Sequence, residues 1–596
     1  MASNLRTFLK LLEERGELKE INAEVSTELE ITEIADRVVK SGGPALLFKN
    51  VNGSKFPIVI NLFGTYERTK LALGCEPSEL FQWLIEILTE KPSLKKILSK
   101  RKNILKLLKS LTPKIVNKAP VQEVVNLNPS LFDIPALKCW PKDGGKFLTL
   151  PLVITHDPET QKRNVGMYRI QIYDEKTAGL HWQSHKTGAY HYWKAEKLGK
   201  KLPVAIALGG HPALIFSAIA PLPPNFDELM FASYLLGEKI HLVKAKTIPI
   251  LVPADAEFII EGYAEPFERR IEGPFGDHFG YYSLSEPFPV LHVTAITHRK
   301  DAIYPATIVG KPPMEDAWIG KAISEIFFPI IKFQIPEIVK MNLSIEAGFH
   351  NLGIISVESY FPRQAVKAMM GIWGLGQLSL TKILIAVDKT VNPEDLKSVA
   401  VEVLKWVDFQ QDLIFVRDAH TDTLDVAGPT TDHGSKLGID ATVKKDRAPF
   451  KIEKIDLAPL KGKSEIIDEI RPIDGIIILK IKKRKPFQAR EVANEVWNLD
   501  KGKRVRILFI VDEEIDIQDK TELIWGLFTR FDPERDIFFD ERALDYRVLP
   551  KFGQRVGIDC TRKTQEEGHF KPWLEIIKMD DEIKERVSKR WKEFGL

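Results

Sequence analysis

The sequence predicts a multidomain α/β (α+β) protein: a small amino-terminal α/β domain, a β-rich central domain and a duplicated α/β carboxyl half. Runs of β-branched and aromatic residues dominate from about residue 120 to 305, as at 148–155, 165–173, 203–208 and 290–296. From Ala306 such runs alternate with helical patterns in βαβα order, and a set of residues in that half recurs at one offset. The plan is 1–118, 119–305, 306–450, a second copy over 451–575 and a closing helix over 576–596. At about 150 residues per domain, a chain of 596 residues accommodates it.

Leu5, Phe8, Leu9, Leu11 and Leu12 keep helical spacing over 5–16, and 31–39 repeats the pattern behind Ser26 and Thr27 as caps. Strands over 44–48 and 56–62 flank the turn signal Asn52-Gly53. From Lys91 to Lys118 there are ten Lys or Arg and no acidic residue, while Leu94, Ile97, Leu98, Ile104, Leu105, Leu108 and Leu111 form a stripe. That pattern suits a helix packed by its stripe with a solvated basic face, or one lying on a membrane surface. In the carboxyl half, strands are expected at 353–357, 383–387 and 413–416. Pro362, Gln364, Ala365, Trp373, Asp388, Asp408 and Asp412 recur 124 residues later as Pro486, Gln488, Ala489, Trp497, Asp512, Asp532 and Asp536. Gly434, Gly438, Ile439, Asp440 and Thr442 recur at an offset of 119 as Gly553, Gly557, Ile558, Asp559 and Thr561. Two copies of this length are a domain duplication, because a solenoid stacks at least three short repeats. Ile583, Val587 and Trp591 share one face of the closing helix, which is expected to dock.

The 85 basic and 82 acidic residues leave a net charge of +3, too little for a global field that gathers nucleic acid. Hydrophobic residues at 44% exclude a disordered chain. Cys75, Cys139 and Cys560 are too few and scattered for a disulfide framework or a cysteine-rich zinc site, which fits a reducing cytoplasm. No signal peptide opens the sequence, and the most apolar stretch, 202–222, is broken by Pro203, Gly209, Gly210 and Pro212.

Four places could carry chemistry. In Asn164-Val-Gly-Met-Tyr-Arg169, Arg169 is an anion fork and Asn164 a candidate metal ligand, although a strand-end Asn and a solvent-facing Arg fit the same letters. Five residues apart, they face opposite sides of an ideal strand, so a bend at Gly166 or a strand-end position for Asn164 is required. His181-Trp182-Gln183-Ser184-His185-Lys186-Thr187 is dense in polar and aromatic groups, and also suits a surface loop. Glu228 falls at an expected helix start after Pro223-Pro224, as a capping acid or a ligand. Glu272-Gly-Pro-Phe-Gly-Asp277 sets two carboxylates around a turn; in one desolvated pocket, one pKa would rise and that carboxyl could act as a general acid. Gly371, Gly374 and Gly376 do not follow a phosphate-loop pattern, and no Gly-x-Ser-x-Gly elbow occurs.

Together with Leu251-Val-Pro, Glu261-Gly262 and Gly310-Lys-Pro-Pro-Met-Glu315-Asp316, these motifs resemble, in order over roughly residues 1–448, the UbiD family of decarboxylases. The resemblance implies a split β-barrel that binds prenylated FMN, and removal of carbon dioxide from aromatic or α,β-unsaturated acids. It implies manganese on Asn164, His185 and Glu228, with potassium as a second candidate ion. Cofactor contacts would come from Met167, Tyr168, Arg169, His181, Trp182, Gln183, Lys186 and Thr187. Arg169, Glu272 and Asp277 would be catalytic, with Arg169 holding the substrate carboxylate and Asp277 giving the proton that replaces carbon dioxide. A UbiX-type flavin prenyltransferase would supply the cofactor, and the α/β carboxyl domain would build a dimer or a multiple of dimers. The second copy resembles the longer members of menaquinone biosynthesis, with a dihydroxynaphthoate-type or 4-hydroxybenzoate-type substrate and a peripheral contact with the inner membrane. Another soluble aromatic or unsaturated acid, decarboxylated or carboxylated, or a non-catalytic flavin-binding subunit are the other readings.

Overall fold

The computed structural model describes residues 3–89, 98–110, 112–223, 226–463, 465–540, 542–543 and 551–596. The chain divides into two compact units, residues 1–329 with 576–596, and residues 330–575.

In the first unit, helix Leu5–Glu14 buries Leu5, Phe8, Leu9 and Leu12, and Asn4 caps it by accepting from Thr7 N. Helix Glu30–Lys40 starts later than Ser26 and Thr27 would place it. Leu29 occupies the cap position, and Glu30 reaches back so that its Oε2 accepts the Ser26 N–H at 2.9 Å. Strands Leu18–Ile21, Ala45–Phe48, Ile58–Ile60 and Tyr304–Pro305 form a four-stranded sheet in that order. Helix Asp581–Arg590 buries Ile583 and Val587 in the core shared with Ile31, Ile34 and Val38, and Arg590 pairs with Glu30 at 2.6 Å. Along the basic stretch, helix Arg101–Ser110 is formed, but Leu98, Leu105 and Leu108 are more than half exposed, so the stripe is not packed away. Residues 91–97 and Leu111 of that stretch lie outside the described residues.

The central element is a nine-stranded antiparallel sheet. Its main path runs Phe147–Leu148, Ile170–Ile172, Thr177–Leu180, Glu286–His298, Phe258–Glu272, Leu202–Leu208, Leu152–His156 and Arg163–Met167, while Val124–Asn126 pairs beside Glu286–His298. Strand Arg163–Met167 closes one end of the path, yet only Tyr168 and Arg169 separate it from Ile170–Ile172 near the other end. Three Cα steps span at most about 11 Å. The sheet must therefore curl until its ends nearly meet, which makes the split barrel. Register shifts at Glu261/Gly262 and Ala264/Arg269 supply bends in the longest strand.

The second unit contains two five-stranded sheets with one topology. Ile338–Leu343, Leu352–Val357, Ile383–Asp388, His433–Ala441 and Leu413–His420 pair antiparallel, parallel, parallel and antiparallel, and so do Ile466–Ile473, Ile476–Ile481, Ile507–Asp512, Val556–Cys560 and Ile537–Phe539. The recurring residues do the same work in both. Gln364 and Gln488 each accept a backbone N–H four residues upstream, from Tyr360 at 3.0 Å and Arg484 at 2.6 Å. Asp412 and Asp536 each accept the N–H of the Asp four residues earlier, at 2.8 and 2.7 Å. The predicted duplication is thus a repeated fold. Among the described residues, no helix is long and apolar enough to cross a membrane.

Candidate active site

Tyr168 and Arg169 sit at the seam of the curled sheet, after one strand ends and before the next begins. The required bend is there and not at Gly166, which stays in register opposite Val153. Gly166 has a different duty: a Cβ at that position would stand 2.3 Å from the Tyr168 ring, so glycine lets the ring fold back over its own strand.

The Arg169 guanidinium is the hub. Its Nε and Nη2 donate to the two oxygens of Glu272 at 2.8 and 3.1 Å, Nη1 donates to Asp277 Oδ2, and Nη2 also reaches Ser283 Oγ at 3.1 Å. It lies 4.7 Å above the Phe275 ring. Side-chain exposure is 8% for Arg169, 0% for Glu272 and 14% for Asp277, so this is a buried ionic triad. His181 Nδ1 lies 3.1 Å from Glu272 Oε2, placed there because strand Thr177–Leu180 pairs with Ile170–Ile172.

Burial alone would raise both carboxyls. For Glu272, the Arg169 charge and hydrogen bonds from His181 and Arg169 overcome it and hold the group down to about 2. For Asp277, the His278 hydrogen bond and the Arg169 charge overcome it and hold the group well below the usual carboxylate range. This corrects the expectation that sharing a pocket would push one of the pair upward, since a guanidinium lies between them. The acids raised toward neutrality stand around the triad, each by burial: Asp143 up to about 7, Glu315 up to about 7 and Asp316 up to about 6.

Sequence reasoning missed Asp143, Ser283 and His278. Asp143 Oδ1 accepts the Gly276 N–H at 2.8 Å, and Oδ2 accepts those of Cys139 and Trp140 at 3.0 and 2.9 Å, so it pins the loop that presents Asp277. Its neighbours Pro141, Gly144 and Gly145 read only as a turn.

On the other side of the seam, helix Glu228–Leu236 is capped by Asp227, and Glu228 Oε2 accepts the Val165 N–H at 3.1 Å. Glu228 and Asn164 are thereby neighbours. His185 lies in an exposed turn before helix Thr187–Leu198, Lys186 is half-buried as its cap, Thr187 is exposed and Gln183 half-buried, while Met167 is half-buried and Trp182 packs on Tyr192. Among the described residues, no three or more His, Cys, Asp or Glu side chains gather as a metal site. The donors nonetheless fit a phosphate-bearing cofactor held with a cation. Asn164 Nδ2 and Trp182 Nε1 are buried without a hydrogen-bond partner, and burial pushes Glu228 up to about 7. A buried carboxylate in that condition gains from a divalent ion.

Residues 9–88, 114–312 and 317–441 with 473–560 match, in order, the amino-terminal, Rift-related and carboxyl-terminal domains of 3-octaprenyl-4-hydroxybenzoate carboxy-lyase, UbiD. The chain belongs to the UbiD family. As a UbiD-class chain it is an enzyme of the carboxy-lyase type. An uncharacterized protein of Archaeoglobus fulgidus is 47% identical over 475 residues, 79% of this chain and 97% of its own length. A 4-hydroxybenzoate decarboxylase polypeptide of Chlamydia pneumoniae is 36% identical over 592 residues, 99% of this chain and 98% of its own. Among solved structures, Sedimentibacter hydroxybenzoicus vanillic acid decarboxylase in its closed form is 27% identical with a TM-score of 0.66, covering 77% of this chain and 97% of its own. UbiD-class HmfF of Pelotomaculum thermopropionicum in complex with FMN is 28% identical with a TM-score of 0.65, covering 76% of this chain and 97% of its own. The shorter relatives are matched almost end to end by about three quarters of this UbiD chain, whereas the chlamydial protein extends over both carboxyl copies.

Proposed function

We propose that this UbiD chain is a non-oxidative decarboxylase of an aromatic carboxylic acid that works with prenylated FMN. The buried Arg169, clamped by Glu272 and reaching Asp277 at the barrel seam, carries the reading. The net reaction is R–CO2⁻ + H⁺ → R–H + CO2: one C–C bond breaks and one C–H bond forms. When bound, prenylated FMN supplies the electron sink for the pair left by departing carbon dioxide. Glu272 fixes Arg169 along its Nε–Nη2 edge, so Nη1 is the arm that turns from Asp277 to the incoming substrate carboxylate. An anion arriving there removes the cation that held Asp277 ionised and adds a like charge, and both raise its pKa. Asp277 then takes up a proton and delivers it to the carbon. Asn164, His185 and Glu228 would hold manganese, whose preference for oxygen and imidazole donors matches them.

The names of the chlamydial and Sedimentibacter relatives favour a soluble phenolic benzoic acid over a dihydroxynaphthoate-type quinone precursor. The test is protein co-produced with a UbiX-type flavin prenyltransferase, with manganese and potassium supplied, and analysed for released cofactor by mass and absorbance. Prenylated FMN is expected only with the prenyltransferase, together with turnover of 4-hydroxybenzoate or vanillate. Glu228→Gln should lower retained manganese and flavin by at least about tenfold. Folded protein that binds no flavin would overturn the reading, and flavin and metal without turnover of any acid would favour a non-catalytic flavin-binding role. A membrane contact rests on the exposed Leu98, Leu105 and Leu108 beside Arg101 and Lys102. Flotation with anionic vesicles should carry the protein upward; protein left at the bottom rules that contact out.

A further inference from the structure

Each turnover consumes one proton, so Asp277 must be recharged from water through whatever surrounds it. Its two oxygens are divided. Oδ2 faces Arg169, while Oδ1 accepts the His278 N–H at 2.8 Å and lies 3.2 Å from His278 Nδ1. The backbone contact keeps Oδ1 turned toward the ring. We propose that His278 is the positioning residue that relays solvent protons to Asp277 Oδ1, an inference that rests on the decarboxylase reading.

The other charged groups facing this pair are poorly suited to the task. Arg169 does not release a proton in proteins. Glu272 is fully buried, engaged by Arg169 and His181, and held at about 2. Asp143 has its oxygens filled by three backbone N–H groups. Asp316, at the start of helix Glu315–Gln334, lies within electrostatic reach of both His278 and Asp277, where its negative charge favours a protonated ring. His278 is a quarter exposed against 14% for Asp277, so among these groups it joins a hydrogen bond to Asp277 with contact to water. The Phe279 ring packs against the imidazole at 4.6 Å. In the step, the Nδ1–H bond breaks and Oδ1–H forms while the other ring nitrogen takes a proton from water; ring rotation then restores the starting tautomer.

The first measurement uses the cofactor-free chain. NMR titration of the His278 ring in the parent and in Asp277→Asn should show the midpoint falling by about one pH unit or more in the variant, because the carboxylate that favours the imidazolium is gone. The second uses reconstituted protein and 4-hydroxybenzoate or whichever acid is turned over. His278→Asn should lower kcat about 100-fold with KM little changed, with a larger solvent deuterium effect, and imidazole in the buffer should restore rate to His278→Gly. An unchanged midpoint, or an unchanged kcat and pH profile in His278→Asn, overturns the relay. Coupling that persists in a protein turning over no acid fails the decarboxylase reading, a separate result.

Discussion

Arg169→Met is expected to abolish turnover and to unfold about 3–5 kcal/mol more easily than the parent, because it strands two buried carboxylates. Glu272 has no exposed surface, and His181 alone would remain beside it. Arg169→Lys keeps a charge but cannot reproduce the two-oxygen grip on Glu272 while also reaching Asp277, so it should recover only part of both properties. The sharper check is the double variant Arg169→Met/Glu272→Gln. Neutralising the partner removes most of the penalty for a lone buried charge, so its stability should return toward the parent while activity stays lost. Urea unfolding at pH 7 with initial rates on reconstituted protein reads both quantities. A stable, inactive Arg169→Met would show that the triad serves catalysis without holding the barrel seam.

The members of the triad were legible as residue types, and their charge state was not. Arg169 and the Glu272/Asp277 turn stand out because a guanidinium in a β-rich segment and two acids around Gly-Pro are unusual. The acids lie 103 and 108 positions from Arg169, and only the curled sheet brings them together. A pattern of letters cannot say whether two acids face each other or a cation between them, so the direction of their pKa shifts came out reversed. Asp143 was invisible for a related reason, since its work is done on the backbone of Gly276, Cys139 and Trp140. The duplication was read without loss, because residues such as Gln364 and Gln488 hold local backbone turns whose chemistry depends on near neighbours. Strand Phe258–Glu272, the longest in the sheet, was not anticipated: Glu261, Glu265, Glu268, Arg269 and Arg270 break its apolar alternation, and its register shifts turn successive side chains to changing faces.

Asp277→Asn should cost about 10²- to 10⁴-fold in kcat while KM and retained flavin stay close to the parent, whereas Glu272→Gln should act mainly by raising KM through a loosened Arg169. Turnover unaltered in Asp277→Asn would remove it as proton donor. The same two acids fix the acid limit of the fold. A carboxyl whose folded pKa is depressed stabilises the protein above its unfolded value and loses that contribution as pH falls through the folded value. For Glu272, held at about 2 against an unfolded value near 4.5, the contribution is on the order of 3 kcal/mol, present above about pH 4.5 and lost toward pH 2. Asp143, Glu315 and Asp316 act in the opposite sense. Their folded values are raised to about 7, 7 and 6, so the stability tied to their protonated forms is present below about pH 4 and is lost as pH rises through those values. Cofactor-free protein should therefore be most stable near pH 4–5, between the two windows. Glu272→Gln should flatten the acid side of that profile, and Asp143→Asn should flatten the side toward neutrality. A variant profile parallel to the parent's on the corresponding side would mean that the acid in question does not change its protonation on folding.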